Sequence, residues 1–128
     1  MSGSKIYVNA HGQMHHFVAL CIATKICHER GYKILDGEWF KKKEYYKGEP
    51  DLYIEKEDKV KVDGKRSTVK QRYVIEIETN PTNESIDKKN KQFHETVAGH
   101  DLIICDLRKC ENKDSLLDIW TYLEGRIP

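Results

Sequence analysis

The 128-residue chain is short of several things, and each shortage removes a class of function. No apolar run approaches the roughly 20 residues that span a bilayer, and the opening stretch MSGSKIYVNAHGQ lacks the apolar centre of a secretory signal. An intracellular, cytoplasmic protein with no membrane partner is therefore expected. Cysteine is limited to Cys21, Cys27, Cys105 and Cys110, too few for a disulfide framework, and the spacing of the first two sets them on different faces of one helix. They are expected to be mostly free thiols packed as small apolar groups. Charge of one sign is also lacking: the net charge is +1, so no overall field favours a polyanion and any basic surface has to be local. Glycine-rich phosphate loops and a Gly-x-Ser-x-Gly elbow are absent, which argues against nucleoside triphosphate hydrolysis and serine chemistry. The histidines His11, His15, His16 and His28 do not combine with Cys21 and Cys27 at the spacings zinc modules use.

What is present suffices for one folded domain over residues 1–128. Apolar residues make up 38% and charged residues 34%, and a chain of this length can bury roughly two-thirds of its unfolded surface. Val18, Ala19, Ile22 and Ile26 recur at helical spacing up to a stop at Gly31, and His11 and His15 fall on the same stripe. YKILDGEWF predicts a strand kinked at Gly37, and WFKKKEYYKGEP a basic, aromatic connector. A helix over NESIDKKNKQFHETV, an apolar strand DLIICDL and an amphipathic helix KDSLLDIWTYLEG complete the order α-β-β-β-α-β-α. The last strand is apolar nearly throughout, as suits a strand parallel to its neighbour after a helical crossover. An α/β sandwich with a mixed central sheet and a long hairpin flanked by helices is the predicted architecture. Trp120 and the final helix either cap the core or form a two-fold interface.

The hairpin carries the functional signal. Asp63-Gly64 supplies the positive φ angles of a two-residue turn, which sets a register from Asp51 to Thr79. Leu52 then faces Ile75, Ile54 faces Tyr73 and Val60 faces Ser67 on a largely apolar side, while Glu55 faces Arg72 and Glu57 faces Lys70 on the other. By the same register Asp51 lies opposite Glu76, with Glu78 one step along on that face. Three converging carboxylates repel one another unless a cation or proton lies between them, so the grouping suits a hard divalent ion, Mg²⁺ or Mn²⁺. A water on such an ion is a nucleophile for phosphodiesters.

GEPDLYIEKED, the hairpin, YVIEIETNP, a basic helix and HDLIICDL together resemble the PD-(D/E)XK nuclease superfamily, a restriction-endonuclease-like group that includes archaeal Holliday-junction resolvases and small archaeal and viral nucleases. The similarity runs from about residue 11 to residue 107. It implies Asp51, after Pro50, and Glu76 as metal ligands, and a Mg²⁺-dependent endonuclease acting on DNA. Glu78 stands where the family carries lysine; some restriction enzymes also have glutamate there, and others recruit a lysine from the next helix. Lys89, at the edge of the inward stripe of Ile86, Asn90, Phe93 and Val97, is the candidate substitute, to orient water or balance developing charge, against a reading as an ordinary solvated lysine. The family also places an acidic or histidine side chain from its first helix beside the site. His15 is the candidate for that place, as base, phosphate contact or outer-shell partner, against an equal reading as a buried structural histidine.

Glu38 is a further acidic neighbour or an exposed strand residue, and Gln92 a possible outer-shell group. Lys41, Lys42, Lys43 and Lys47 among aromatics, with Lys88 and Lys91 on the helix, would contact a nucleic-acid backbone, or would simply be solvated. DNA is the expected partner, and these residues do not separate it from RNA. Small members of the superfamily often pair, so a homodimer is expected. The missing strand lysine leaves a second reading open: a nucleic-acid-binding module on the same fold that has lost cleavage.

Overall fold

A computed structural model describes residues 12–37, 50–97 and 99–128. Helix α1 (Gly12–Glu29) is followed by a short strand β1 (Lys33–Ile34), the hairpin β2 (Leu52–Val62) and β3 (Lys65–Glu78), helix α2 (Asn83–Thr96), strand β4 (Asp101–Asp106) and helix α3 (Leu116–Arg126). A single 3₁₀ turn, Leu107–Lys109, follows β4. The sheet is mixed, in the order β1-β2-β3-β4: the first two pairings are antiparallel and β3 with β4 is parallel. The predicted order of elements is therefore present, with one reduction. YKILDGEWF yields only a two-residue strand, and its end from residue 38 lies outside the described residues.

Local chemistry accounts for these boundaries. Ala19, Ile22, Ala23, Ile26 and Cys27 are the buried stripe of α1, at the spacing a helix needs to turn one face inward. Gly31 ends the helix at φ 84°, with Tyr32 N–H donating to Cys27 O and Gly31 N–H to His28 O, the paired bonds of a left-handed helix stop. Thr82 caps α2 by a reciprocal exchange with Ser85, satisfying two N–H groups the helix leaves over.

The hairpin register is the predicted one, from Val62 opposite Lys65 to Leu52 opposite Ile75, without a bulge. Asp63 and Gly64 have φ of 52° and 76°, the positive pair the two-residue turn demands. Alternation then divides the sheet. Leu52, Ile54, Ile75, Ile77, Ile103 and Cys105 face α1 and α3, where Ile119 and Leu123 complete the main core. Tyr53 and Val74 face α2, packing on Phe93 and Val97. The hairpin does not stay on this core. β1 pairs with β2 only at Ile54 and Glu55, and β4 reaches β3 only from Tyr73 onward. Beyond those residues the two strands pair only with each other among the described residues, and residues 61–70 are exposed. The apolar side expected to run to Val60 thus leaves the core at Ile54; Val62 and Val69, further along the same side, are 56% and 44% exposed.

All four cysteines are free and three are buried. Burial pushes the Cys27, Cys105 and Cys110 thiols up to about 11, about 12 and about 11, so they pack as protonated apolar groups. No helix among the described residues is long and apolar enough to cross a membrane.

Candidate active site

Pro50-Asp51 lies one step before β2 and Glu76 lies in β3, so Asp51 and Glu76 are the residues that flank Leu52 and Ile75, the last pair of the hairpin ladder. Proline has no N–H to add to it. The Asp51 carboxylate meets β3 as an acceptor: its Oδ2 accepts from the Ile77 backbone N–H at 2.7 Å. Its Oδ1 is 2.9 Å from His16 Nε2 of α1. Asp51 is thus clamped between a strand backbone and a helix, one residue from Glu76 along β3. Two groups hold its rotamer, and each carboxylate oxygen keeps a lone pair for another partner.

Glu76 is only 7% exposed. It shares its face with Val74 and Glu78, opposite the face that carries Ile75 and Ile77, which answers why glutamates stand in an otherwise apolar strand. Glu78 forms an ion pair with Lys89 of α2, both partners largely withdrawn from water at 22% and 17% exposure. The lysine expected at the stripe's edge therefore does turn toward the strand. Lys88 and Lys91 are exposed and Gln92 is half-buried. Glu38, Lys41, Lys42, Lys43 and Lys47 lie outside the described residues, as does His11.

The first helix presents a different histidine from the expected one. His15 is 3% exposed and its Nε2 lies 2.6 Å from Asp114 Oδ1, tying α1 to the turn before α3. It is His16 that reaches Asp51. The stripe already held this information: His15 stands four residues before Ala19, on the buried face, whereas His16 is turned about 100° away.

A second group was not anticipated. Asp106, at the end of β4, is 3% exposed and stands beside Glu78 in the parallel register. Arg108 donates to it through Nε and Nη2, at 3.0 Å to Oδ1 and 2.8 Å to Oδ2, and also to Asn83 at the start of α2. That guanidinium, bonded to both oxygens, holds the Asp106 carboxyl below its ordinary range. An aspartate flanked by Arg108 two residues on is too short a pattern to single out in sequence. Two carboxylates on adjacent strands, Glu78 and Asp106, thus each carry their own cation.

The donor set suits a hard cation. Asp51 and Glu76 offer oxygen ligands just beyond the last hairpin pair, and Mg²⁺ sites use one or two carboxylates and fill the rest with water and phosphate oxygens. The expected three-carboxylate cage does not form: among the described residues no group of three or more His, Cys, Asp or Glu side chains could hold a metal ion. Glu78 is drawn aside by Lys89. No protein-family model matches the chain, and comparison with curated proteins and with solved structures finds no significant match.

Proposed function

We propose that this chain is a divalent-metal-dependent nuclease with a restriction-endonuclease-like fold, hydrolysing phosphodiester bonds in DNA. The observation that carries the reading is the clamped Asp51 carboxylate set beside a buried Glu76 at the end of the hairpin. The antiparallel hairpin followed by a helical crossover to a parallel strand supports it. Asp51 and Glu76 would hold Mg²⁺ or Mn²⁺; when bound, such an ion supplies an activated water and offsets phosphate charge. The chain's own residues do the rest. The Ile77 N–H and His16 hold Asp51 in a single orientation, which preorganises the ligand. Lys89 brings an ammonium to the same face, where it balances charge that develops on the phosphate, and the ion pair with Glu78 directs it.

A second reading draws on the Glu78 ion pair, which removes the third carboxylate from the metal: a nucleic-acid-binding module without cleavage. Incubation with supercoiled, linear, branched and single-stranded DNA, and with RNA, in Mg²⁺ or Mn²⁺ separates the two. Cleavage that EDTA stops and that Asp51→Asn and Glu76→Gln abolish is the expected result. Binding without cleavage in either metal would move the assignment to the module, and cleavage undiminished in both variants would remove it from these residues.

A further inference from the structure

The free-standing end of the hairpin has a charge arrangement that its own packing does not explain. On the sheet face that carries Glu76 and Glu78, the outward pairs are Glu55 with Arg72, then Glu57 with Lys70, then Lys59 with Thr68 and Lys61 with Arg66. The first two are joined: Arg72 Nε to Glu55 at 2.9 Å and Lys70 to Glu57 at 3.6 Å. The last two hold only positive charge. Lys61 and Arg66 stand directly opposite each other, a placement that destabilises a hairpin. Among the described residues no acidic side chain pairs with Lys59, Lys61 or Arg66. All three are exposed.

Resting on the nuclease reading, we infer that this ribbon is a duplex-binding arm, with Lys59, Lys61 and Arg66 contacting DNA phosphates at a distance from the cleavage site. Charge complementarity selects the occupant: a cluster of like cations without internal partners is relieved by a polyanion. Shape selects the form. Two paired strands fit the major groove of B-DNA, about 12 Å wide, whereas the major groove of an RNA helix is too narrow and deep. Lys59 is eight residues from Asp51, about 27 Å at ~3.4 Å per residue, which corresponds to about eight base pairs along a duplex. The near-neutral net charge of the whole chain conceals this local surface.

The test measures binding of a labelled 30-base-pair DNA in Ca²⁺ by fluorescence anisotropy across a potassium chloride series. Wild type is compared with the triple variant Lys59→Gln, Lys61→Gln, Arg66→Gln. Loss of three phosphate contacts is expected to weaken binding at least about tenfold and to reduce the slope of log affinity against log salt by about 2.7. The melting temperature should not fall, since the three side chains are exposed and the variant relieves the Lys61–Arg66 repulsion. Equal affinity and equal slope in the triple variant would overturn the arm, as would tighter ribbon-dependent binding of an RNA duplex. The Asp51→Asn variant separates the two proposals. If wild type does not cleave yet Asp51→Asn and wild type both bind through the ribbon, the arm stands and the nuclease reading falls; if wild type binds no DNA, both fall.

Discussion

His16 Nε2 and Asp51 Oδ1 stand 2.9 Å apart, joining α1 to the end of the hairpin. His15, one residue earlier, points about 100° round the helix, to its buried face, and bonds Asp114. The two neighbours should therefore separate cleanly in mutagenesis. His16→Ala should lower metal affinity and cleavage by about 10- to 100-fold, the range for partners of metal ligands, with little change in melting temperature. His15→Ala should instead cost about 1–3 kcal/mol of stability by leaving a cavity and breaking a partly buried hydrogen bond, with activity per folded molecule retained. Calorimetric metal titration and thermal melts of both variants check this; the opposite pattern would return His15 to the site.

On the proposed nuclease reading, Asp51→Asn and Glu76→Gln should each reduce cleavage by more than about a hundredfold, since each would remove a ligand rather than a ligand's partner. Their effects on folding should differ. Glu76→Gln replaces a buried carboxylate with a neutral isostere and should leave the melting temperature unchanged or higher. Asp51→Asn weakens the acceptor for the Ile77 N–H and should lower it by a few degrees. Parallel cleavage assays and melts give both readouts.

Glu78 and Lys89 form a partly withdrawn ion pair, so removing one partner strands the other. Lys89→Gln and Glu78→Gln should each destabilise by about 1–2 kcal/mol, and the double variant by less than the sum. The exchanged pair Glu78→Lys with Lys89→Glu keeps the contact and places lysine on the strand. It should retain most of the stability and more cleavage than Lys89→Gln; a denaturant melt and a cleavage assay of all four proteins decide this.

Stability should fall at both ends of the pH range, for different reasons. Arg108 holds the Asp106 carboxyl below its ordinary 3.8 in the folded protein. A group depressed in this way adds stability that is fully present above its unfolded value and is lost as pH falls through the folded one, so the melting temperature should drop below about pH 4. Asp106→Asn should flatten that limb. Burial raises Cys105 from 9.0 to about 12. Here the unfolded chain releases its proton first, so stability should decline as pH rises from about 9 toward 12, and Cys105→Ala should flatten that limb. Melts from pH 2 to 11 test both.

Much of the site was legible because a hairpin is a local device. Once Asp63-Gly64 is assigned to a two-residue turn, alternation places Glu76 and Glu78 on one face and leads the ladder to Asp51. Lys89 was legible in a weaker sense, as a lysine at the edge of an apolar stripe. The Arg108 clasp on Asp106 was not, since it depends on β4 arriving beside Glu78 after a crossover that no local pattern describes.

The chain itself determined the turn, the register and the helical stripes, because each follows from φ preferences and side-chain periodicity over a few residues. Only the tertiary structure decided which of two adjacent histidines meets Asp51, and where the hairpin outgrows its sheet. Both depend on how far distant segments extend and how helices rotate as they dock, quantities set by packing the whole core at once rather than by any one stretch of sequence.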